Sequence, residues 1–238
     1  MLLQKMMAAA VLAVGLVGGA QAALVDGQDY KTLPEAIPQL QQDKVEVLEF
    51  FGYFCIHCKN LEPSLSAHIK QFPSDTYFRS VHVVWRPEHL GLARVAAAVN
   101  ASGTKYQANP AIFKAVMDEG IDLSNPDTFK QWASQQTSFD SKKVLAAYNG
   151  FQNQVEAKDM AELTTKYQIQ GTPTIIVGGK YQLQSQDMAK LDELIAKVRT
   201  ERGESQSHWC PFGHPIQQVT HFFDRQLKRL PVCGFRTL

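Results

Sequence analysis

The sequence has 238 residues, of which 45% are hydrophobic and 20% are charged, with 11 prolines and 15 glycines. This composition excludes a disordered, collagen-like or coiled-coil protein, and the length is sufficient for a sizeable hydrophobic core. Lys and Arg total 24 against 23 acidic residues, so the net charge of +1 creates no field that would hold nucleic acid or an anionic membrane. Four cysteines are too few for a disulfide-dense miniprotein, so each is interpreted from its position.

Residues 1–22 have the three-part pattern of a secretory signal peptide. One positive charge, Lys5, precedes an apolar run over residues 6–20, and Ala20-Gln21-Ala22 is a small-residue cleavage site. The run is shorter than the ~20 residues that a membrane-spanning helix needs, which argues against the alternative of a retained anchor. We therefore predict cleavage after Ala22 and a mature chain in an oxidising compartment outside the cytoplasm.

The first part of the mature chain predicts a strand, a helix and a second strand. Residues 45–51 (VEVLEFF) form a short apolar run rich in β-branched and aromatic residues, which is typical of a buried strand. The apolar positions of residues 55–72 recur at helical spacing, and residues 77–85 alternate between apolar and polar residues. This order predicts a parallel pair of strands joined by a crossover helix.

The rest of the globular part begins with residues that show only helical periodicity, from about residue 88 to residue 150. The elements predicted after them are a helix at 155–167, a strand at 174–177, a tight turn at Gly178-Gly179, a returning strand at 181–183 and a helix at 187–199. The chain therefore predicts an α/β fold in which a block of helices is inserted between strands.

The sequence Cys55-Ile56-His57-Cys58 directly follows the predicted buried strand and begins the predicted helix. At a helix N-terminus the backbone N–H groups are unpaired and the helix dipole is positive, so a Cys55 thiolate is favoured there. Cys58 lies one turn further along the same face, within disulfide reach. His57 can add positive charge or donate a hydrogen bond to the Cys55 sulfur. A stabilised thiolate favours the reduced pair, and a pair that prefers to be reduced oxidises other proteins.

Two other interpretations of this pair are half of a zinc site and an inert structural disulfide. A closed zinc site needs four N or S ligands. The remaining cysteines, Cys210 and Cys233, are far away in the sequence and 23 residues apart, unlike any paired-ligand spacing. We therefore predict redox catalysis with no metal and no cofactor.

Glu49 is an unusual carboxylate in an otherwise apolar strand, six positions before Cys55. Its burial would cost free energy unless it were paired or protonated, so a surface-facing side chain at the strand end is the alternative. A buried carboxylate would have a raised pKa, which would suit it to proton transfer at a redox site.

Three features together resemble the thioredoxin superfamily and, within it, the DsbA family of thiol:disulfide interchange proteins. They are VLEFFGYFCIHC over residues 47–58, GTPT over residues 171–174 and the helical insertion between them. The likeness spans about residues 23–199. It implies a thioredoxin-like domain over residues 23–87 and 151–200, with an all-helical domain inserted at residues 88–150.

The resemblance also implies roles for individual residues. Cys55 would be the exposed nucleophile that forms the mixed disulfide, and Cys58 would be the buried partner that resolves it. Thr172 and Pro173 would form a cis-proline loop that offers backbone hydrogen bonds to an extended substrate. Glu49 would be a buried acid beneath Cys58 that accepts its proton. An acidic first thiol and strong oxidising power are known properties of this family, and the resemblance implies them here.

The implied protein is a monomeric dithiol oxidase of the periplasm that donates its Cys55–Cys58 disulfide to reduced, unfolded exported proteins. A quinone-linked membrane oxidase of the DsbB kind would then reoxidise it. The sequence departs from the commonest family pattern at Ile56, where Pro is usual, and at Thr172, where Val is usual. A disulfide reductase or isomerase and a non-catalytic, chaperone-like peptide-binding module stay as alternatives.

Residues 201–238 differ in composition from the rest of the chain and contain the tract HWCPFGHP at 208–215. The resemblance ends before this segment, so we expect an atypical tail outside the core fold, either a disordered extension or an altered reading frame. Cys210 and Cys233 could pair as a disulfide. A Cys/His metal site is the other alternative, although its spacing matches no standard zinc finger.

Overall fold

Strand β2, Val45–Phe51, is central to the fold, and all of its residues are buried. In the computed structural model, which describes residues 24–207, β2 pairs in parallel with β3, Thr76–His82. On its other side it pairs in antiparallel fashion with β4, Thr174–Val177. Because the strand has a neighbour on each side and helices over the sheet, even its polar residues are enclosed.

Two short strands complete the sheet. They are β1, Tyr30–Thr32, and β5, Tyr181–Leu183, and the strand order is β1-β5-β4-β2-β3. β4 and β5 form the predicted hairpin through Gly178 and Gly179, which have φ angles of +64° and +69°. A Cβ at Gly179 would lie 2.1 Å from the backbone oxygen of Ile37, so this turn requires glycine.

Helices occupy most of the remaining described chain. In chain order they are α1 (Ile56–Ile69), α2 (His89–Ser102), α3 (Lys105–Phe113), a π-helical turn (Lys114–Asp118), α4 (Pro126–Ser134), α5 (Ser141–Asn149), α6 (Phe151–Lys166) and α7 (Met188–Ser207). α1 is the crossover between the parallel strands β2 and β3, as predicted, and α2 to α5 lie between β3 and α6 in the chain.

Alternate residues of β2 belong to two different clusters of buried apolar side chains. Leu48 and Phe50 pack in a cluster with the apolar faces of α2 to α5. Val45 and Val47 pack in a second cluster with α1, β4, β5 and the first part of α7. This alternation follows from the two-residue period of a strand, so β2 contributes to the core on both faces of the sheet.

The predicted elements agree with the structure in type and differ at their ends. α7 continues to Ser207, whereas the sequence predicts its end at Arg199. No proline interrupts residues 200–207, and Glu and Arg there favour a helix. β1 was not predicted, because three residues are too few to show a period.

Residues 24–199 belong to one compact unit, and Thr200–Ser207, the end of α7, belong to another. The predicted signal peptide at 1–22 lies outside the described residues, as does most of the predicted tail at 201–238. The division into a domain of residues 23–87 and 151–200 and an inserted domain of residues 88–150 stays a prediction. No helix in the described part of the chain is long and apolar enough to cross a membrane.

Candidate active site

The loop between β2 and α1 is held by a buried histidine. The Tyr53 N–H donates to Nε2 of His82 at 3.1 Å, and Nδ1 of His82 lies 2.9 Å from the Val83 carbonyl oxygen. These partners define a neutral ring with its proton on Nδ1. Burial lowers the pKa of His82 to about 3, so the ring stays neutral in this role. The hydrogen bond to His82 therefore fixes the loop that places Cys55 at the start of α1.

Cys55 is the N-cap residue of α1. It is half-buried, and its sulfur accepts a hydrogen bond from the Cys58 N–H at 3.4 Å. A sulfur in this position receives the partial positive charge of the helix N-terminus, as the sequence predicts. The donor stabilises negative charge on Cys55 when the thiol ionises.

The loop that contains Pro173 lies against Cys55, although 117 residues separate them in the chain. The Cys55 thiol donates to the Thr172 carbonyl oxygen at 3.3 Å. The Thr172–Pro173 peptide bond is cis, in agreement with the sequence-based prediction. The structure thus brings Thr172 and Pro173 together with the cysteine pair.

Cys58 differs from Cys55 in that it is only 1% exposed. Burial is the main reason that the pKa of its thiol is raised, and the contact with Cys55 and the charge of Glu49 act in the same direction. Both cysteines are free thiols in the structure. One sulfur of the pair can therefore meet a large partner, and the other is enclosed by the protein.

His57 lies on the exposed side of the first turn of α1. In the part of the chain that the structure describes, no hydrogen bond joins His57 to the Cys55 sulfur. The adjacent Ile56 is 48% exposed, so the dipeptide between the cysteines forms part of the surface around Cys55.

Glu49 is buried, with only 2% of its surface exposed, which excludes the surface-facing alternative. Its Oε2 atom has no hydrogen-bond partner among the described residues, and it lies 3.9 Å from Nζ of Lys105. Burial raises the pKa of Glu49 to about 7, a shift that Lys105 reduces and Glu62 increases. Glu49 is thus a carboxyl group that can gain or lose a proton near neutral pH, close enough to Cys58 to affect its titration.

Three further polar residues near Glu49 were not predicted. Glu62 has a detectable signal in the sequence, because it follows Cys58 by four residues and so shares its face of α1. Lys105 and Tyr53 have no such signal in the sequence. Their position near Glu49 depends on how α3 packs against the cysteine pair and the loop before it. The Tyr53 hydroxyl is buried and donates to Oδ1 of Asn109 at 2.8 Å.

Within residues 24–207, no three His, Cys, Asp or Glu side chains are grouped as metal ligands. The reactive groups that the structure brings together here are the two sulfurs and the ionisable groups around them. Two thiols that differ so strongly in exposure can exchange a disulfide with another molecule in successive steps, one sulfur attacking and the other resolving. This chemistry on a thioredoxin-like sheet and crossover helix defines a thiol:disulfide oxidoreductase.

Comparisons with known proteins identify the family of oxidoreductases to which the chain is similar. A family model described as a DSBA-like thioredoxin domain matches residues 46–196. The thiol:disulfide interchange protein DsbA of Burkholderia cepacia is 35% identical over 181 residues, which cover 76% of this chain and 85% of that protein. The chain belongs to the DsbA family.

Solved structures from Neisseria meningitidis are also similar to this chain. Reduced DsbA1 is 52% identical, with a TM-score of 0.75, over 77% of this chain and 100% of that one. The oxidoreductase NmDsbA3 is 50% identical, with a TM-score of 0.68, over 76% of this chain and 100% of that one. The predicted α/β, thioredoxin-like fold and thiol:disulfide oxidoreductase activity are thereby confirmed.

Proposed function

We propose that this protein is a dithiol oxidase of the periplasm that donates its Cys55–Cys58 disulfide to reduced, unfolded exported proteins. The observation that carries the proposal is the difference between the two sulfurs. Cys55 caps α1 beside the Thr172 carbonyl, whereas Cys58 is enclosed. A substrate thiolate therefore reaches Cys55, and Cys58 is the leaving group.

The proposed reaction has two exchange steps. A substrate thiolate attacks the Cys55 sulfur, the Cys55–Cys58 bond breaks, and Cys58 leaves as a thiolate. A second substrate thiolate then attacks the substrate sulfur of the mixed disulfide, which releases Cys55 as a thiolate. The substrate loses two electrons and the cysteine pair gains them. The Cys58 N–H and the start of α1 stabilise the released Cys55 thiolate.

Glu49 is the proposed proton donor and acceptor for Cys58. A thiolate in a buried site is unfavourable, as the raised pKa of Cys58 indicates, so it needs a proton when it leaves. Glu49 has a pKa of about 7 and so holds a proton in part of the molecules at neutral pH. In the reverse direction the Glu49 carboxylate takes the proton of Cys58 before Cys58 attacks.

Thr172 and Pro173 are the proposed substrate-binding loop. The Thr172 carbonyl oxygen is close enough to Cys55 to accept a hydrogen bond from its thiol, so a peptide bound at Cys55 also lies beside this loop. Backbone groups of the loop would pair with an extended substrate, as in other edge-to-strand recognition. His57, on the exposed first turn, would act through its charge when protonated.

The surroundings of the reaction belong to the same proposal. Residues 1–22 would direct export and be removed, and the mature protein would act as a monomer. A quinone-linked membrane oxidase of the DsbB kind would reoxidise the Cys55–Cys58 pair, and the protein itself would need no metal and no cofactor. The Ile56 and Thr172 positions would set how strongly oxidising the pair is.

A peptide with two thiols tests the proposal. The oxidised protein is mixed with the reduced peptide, and formation of the peptide disulfide is followed by mass spectrometry. We expect stoichiometric oxidation by the native protein and none by Cys55→Ser. Cys58→Ser, loaded with glutathione on Cys55, is the matched control. It can react with a peptide thiol through its Cys55–glutathione disulfide, but it cannot form the internal Cys55–Cys58 disulfide.

Equilibration with glutathione then separates the oxidase from the alternatives. A dithiol oxidase is expected to be largely reduced in a buffer of equal reduced and oxidised glutathione. A pair that stays oxidised in that buffer would instead indicate a reductase. Peptide oxidation that survives Cys55→Ser would overturn the proposed site, and peptide binding without any oxidation would favour the chaperone-like module.

A further inference from the structure

A lysine side chain is buried beside Glu49. Lys105 is the first residue of α3, its side chain is 11% exposed, and its Nζ atom lies 3.9 Å from Glu49 Oε2. The same ammonium group lies 3.9 Å from the ring centre of Phe78 and 5.9 Å from that of Phe51. Aromatic faces stabilise a cation that has lost its water, which explains how a lysine is retained at this depth.

Lys105 is held in place by the element that carries it. One turn further along α3, the Asn109 side chain accepts the hydrogen bond of the buried Tyr53 hydroxyl at 2.8 Å. Tyr53 belongs to the loop that precedes Cys55. Two buried polar contacts, one helical turn apart, therefore fix α3 against the end of β2 and the start of α1.

The charged and titratable groups around Glu49 come from three elements. α1 contributes Glu62 and Cys58, the loop after β2 contributes Tyr53, and α3 contributes Lys105. The charge of Glu62 raises the pKa of Glu49. Burial raises the pKa values of the Cys58 thiol and the Tyr53 hydroxyl, so these two groups are neutral beside it. Within the described chain, Lys105 is the one cation within ion-pair distance of Glu49.

We propose that Lys105 is a positioning residue for thiol–disulfide exchange, and that it keeps the Glu49 carboxyl sufficiently ionised to take the proton of Cys58. This inference rests on the proton-transfer role of Glu49 in the proposed function. It assigns to the helices between β3 and α6 a part in the chemistry at the cysteine pair. Burial alone would leave Glu49 protonated at neutral pH, and a protonated acid accepts no proton from Cys58.

The step to measure is the closure of the Cys55–Cys58 disulfide. The reduced protein is mixed with oxidised glutathione, which first forms a mixed disulfide with Cys55. The Cys58 thiol then passes its proton to the Glu49 carboxylate, and the Cys58 sulfur attacks Cys55. The Cys55–glutathione bond breaks, and glutathione leaves as a thiolate that takes a proton from water. Acid quenching and mass spectrometry follow the mixed disulfide from pH 5 to pH 9.

Lys105→Met removes the charge and keeps an apolar stem of similar length. Opposite charges at this range lower the pKa of a carboxyl by ~1–3 pH units, so the variant should move the inflection in the closure rate upward by at least about one pH unit. Below the inflection, closure should be about tenfold slower. Lys105→Arg retains the charge and should restore the inflection towards the native value. Lys105→Gln is a second neutral variant, should the methionine prevent folding.

Two further variants make the outcome unambiguous. Lys114→Met removes a lysine of the exposed Lys114–Glu119 ion pair and should leave the profile unchanged. Glu49→Gln should abolish the inflection, and adding Lys105→Met to it should move nothing more. If Glu49→Gln abolishes the inflection but the neutral Lys105 variants leave it at the native pH, the inference about Lys105 is overturned and the role of Glu49 stands. A profile that survives Glu49→Gln would overturn the role of Glu49 in the proposed function.

Discussion

The two ends of strand β2 each contain a buried glutamate, and the two are held in different ways. At the first end, Glu46 is 0% exposed and accepts hydrogen bonds from the Tyr77 hydroxyl at 2.5 Å and from the Leu40 N–H at 3.4 Å. Arg79 lies 3.9 Å from its second oxygen, Oε1, which has no hydrogen-bond partner among the described residues. The Glu46 carboxylate therefore has partners that stabilise its charged form.

At the other end, near the cysteines, Glu49 is 2% exposed and has far fewer partners. Its Oε2 atom lacks a hydrogen bond within the described structure, and its cation, Lys105, is 3.9 Å away. Its pKa is raised to about 7. The charged and neutral forms of Glu49 are consequently close in free energy at neutral pH.

The comparison shows what distinguishes a structural acid from one suited to proton transfer. Burial is common to both residues, so burial alone does not make a carboxyl group reactive. Two hydrogen bonds reach one oxygen of Glu46, whereas none reaches Oε2 of Glu49, and each acid has one cation at 3.9 Å. The useful signal is the number of donors around a buried acid.

The largest expected effect is on the rate of disulfide exchange, which should depend on Glu49 and not on Glu46. Glu49→Gln removes the proposed proton donor to Cys58, and a positioned acid or base contributes about 10²- to 10⁴-fold to a rate. We therefore expect oxidation of a dithiol peptide at pH 7 to slow by about 10²-fold or more. Glu46→Gln, measured on the folded fraction, should change the rate less than about twofold, since Glu46 has no role in the exchange. Equal losses of rate in the two variants would contradict the distinction between Glu46 as a structural acid and Glu49 as a proton-transfer group.

The second effect is on the pH dependence of stability. Burial raises the pKa of Glu49 from 4.5 to about 7, so the folded protein disfavours the charged form. The stability that the protonated form provides is present below the unfolded pKa and is lost as the pH rises through the folded pKa. The loss is about 3 kcal/mol between pH 4.5 and pH 7.

Glu49→Gln lacks this titration, so its unfolding free energy should rise relative to that of the native chain by about 3 kcal/mol between pH 4 and pH 8. Denaturant unfolding of both reduced proteins across this pH range measures the difference. A difference that stays constant with pH would contradict the raised pKa of Glu49.

Much of the fold was predictable because its signals are local. The apolar run at residues 45–51, the helical spacing after Cys55 and the Gly178-Gly179 turn each specify an element without reference to the rest of the chain. The parallel pairing of β2 and β3 then follows from the strand–helix–strand order. Element ends were less predictable, since α7 has no strong stop signal after Arg199.

The site was predictable only where it is local or where a family resemblance supplies the rest. The Cys55–Cys58 spacing is visible in the sequence, whereas the contact of Cys55 with Thr172 spans 117 residues and was expected from the resemblance. The pairing of Glu49 with Lys105 had no signal, because nothing local specifies how α3 packs on β2. The burial of Glu46 was equally hidden.

A smaller effect tests the structural end of the comparison. Tyr77→Phe removes the hydroxyl that donates to Glu46 Oε2 at 2.5 Å and accepts from the Gln41 N–H at 3.1 Å. Loss of one partner from a buried acceptor costs about 1–2 kcal/mol, so the unfolding free energy should fall by that amount at pH 7. The rate of peptide oxidation should stay unchanged. A slower exchange reaction in this variant would mean that the Glu46 end of β2 also contributes to the chemistry.

The smallest effect concerns Arg79, the cation of the structural end. Its Nη1 atom lies 3.9 Å from Glu46 Oε1, a separation too long for a hydrogen bond, and its side chain is 20% exposed. Glu46 already accepts two hydrogen bonds through its other oxygen, so the arginine adds mainly a partly screened Coulomb attraction. Arg79→Gln should therefore lower the unfolding free energy by less than about 1 kcal/mol, and high salt should reduce the difference further. Denaturant unfolding at low and high ionic strength measures both. A cost well above that of Tyr77→Phe would show that Glu46 is stabilised in the core mainly by the cation and not by the hydrogen bonds. The two ends of β2 would then differ in the strength of their cations instead of in their donors.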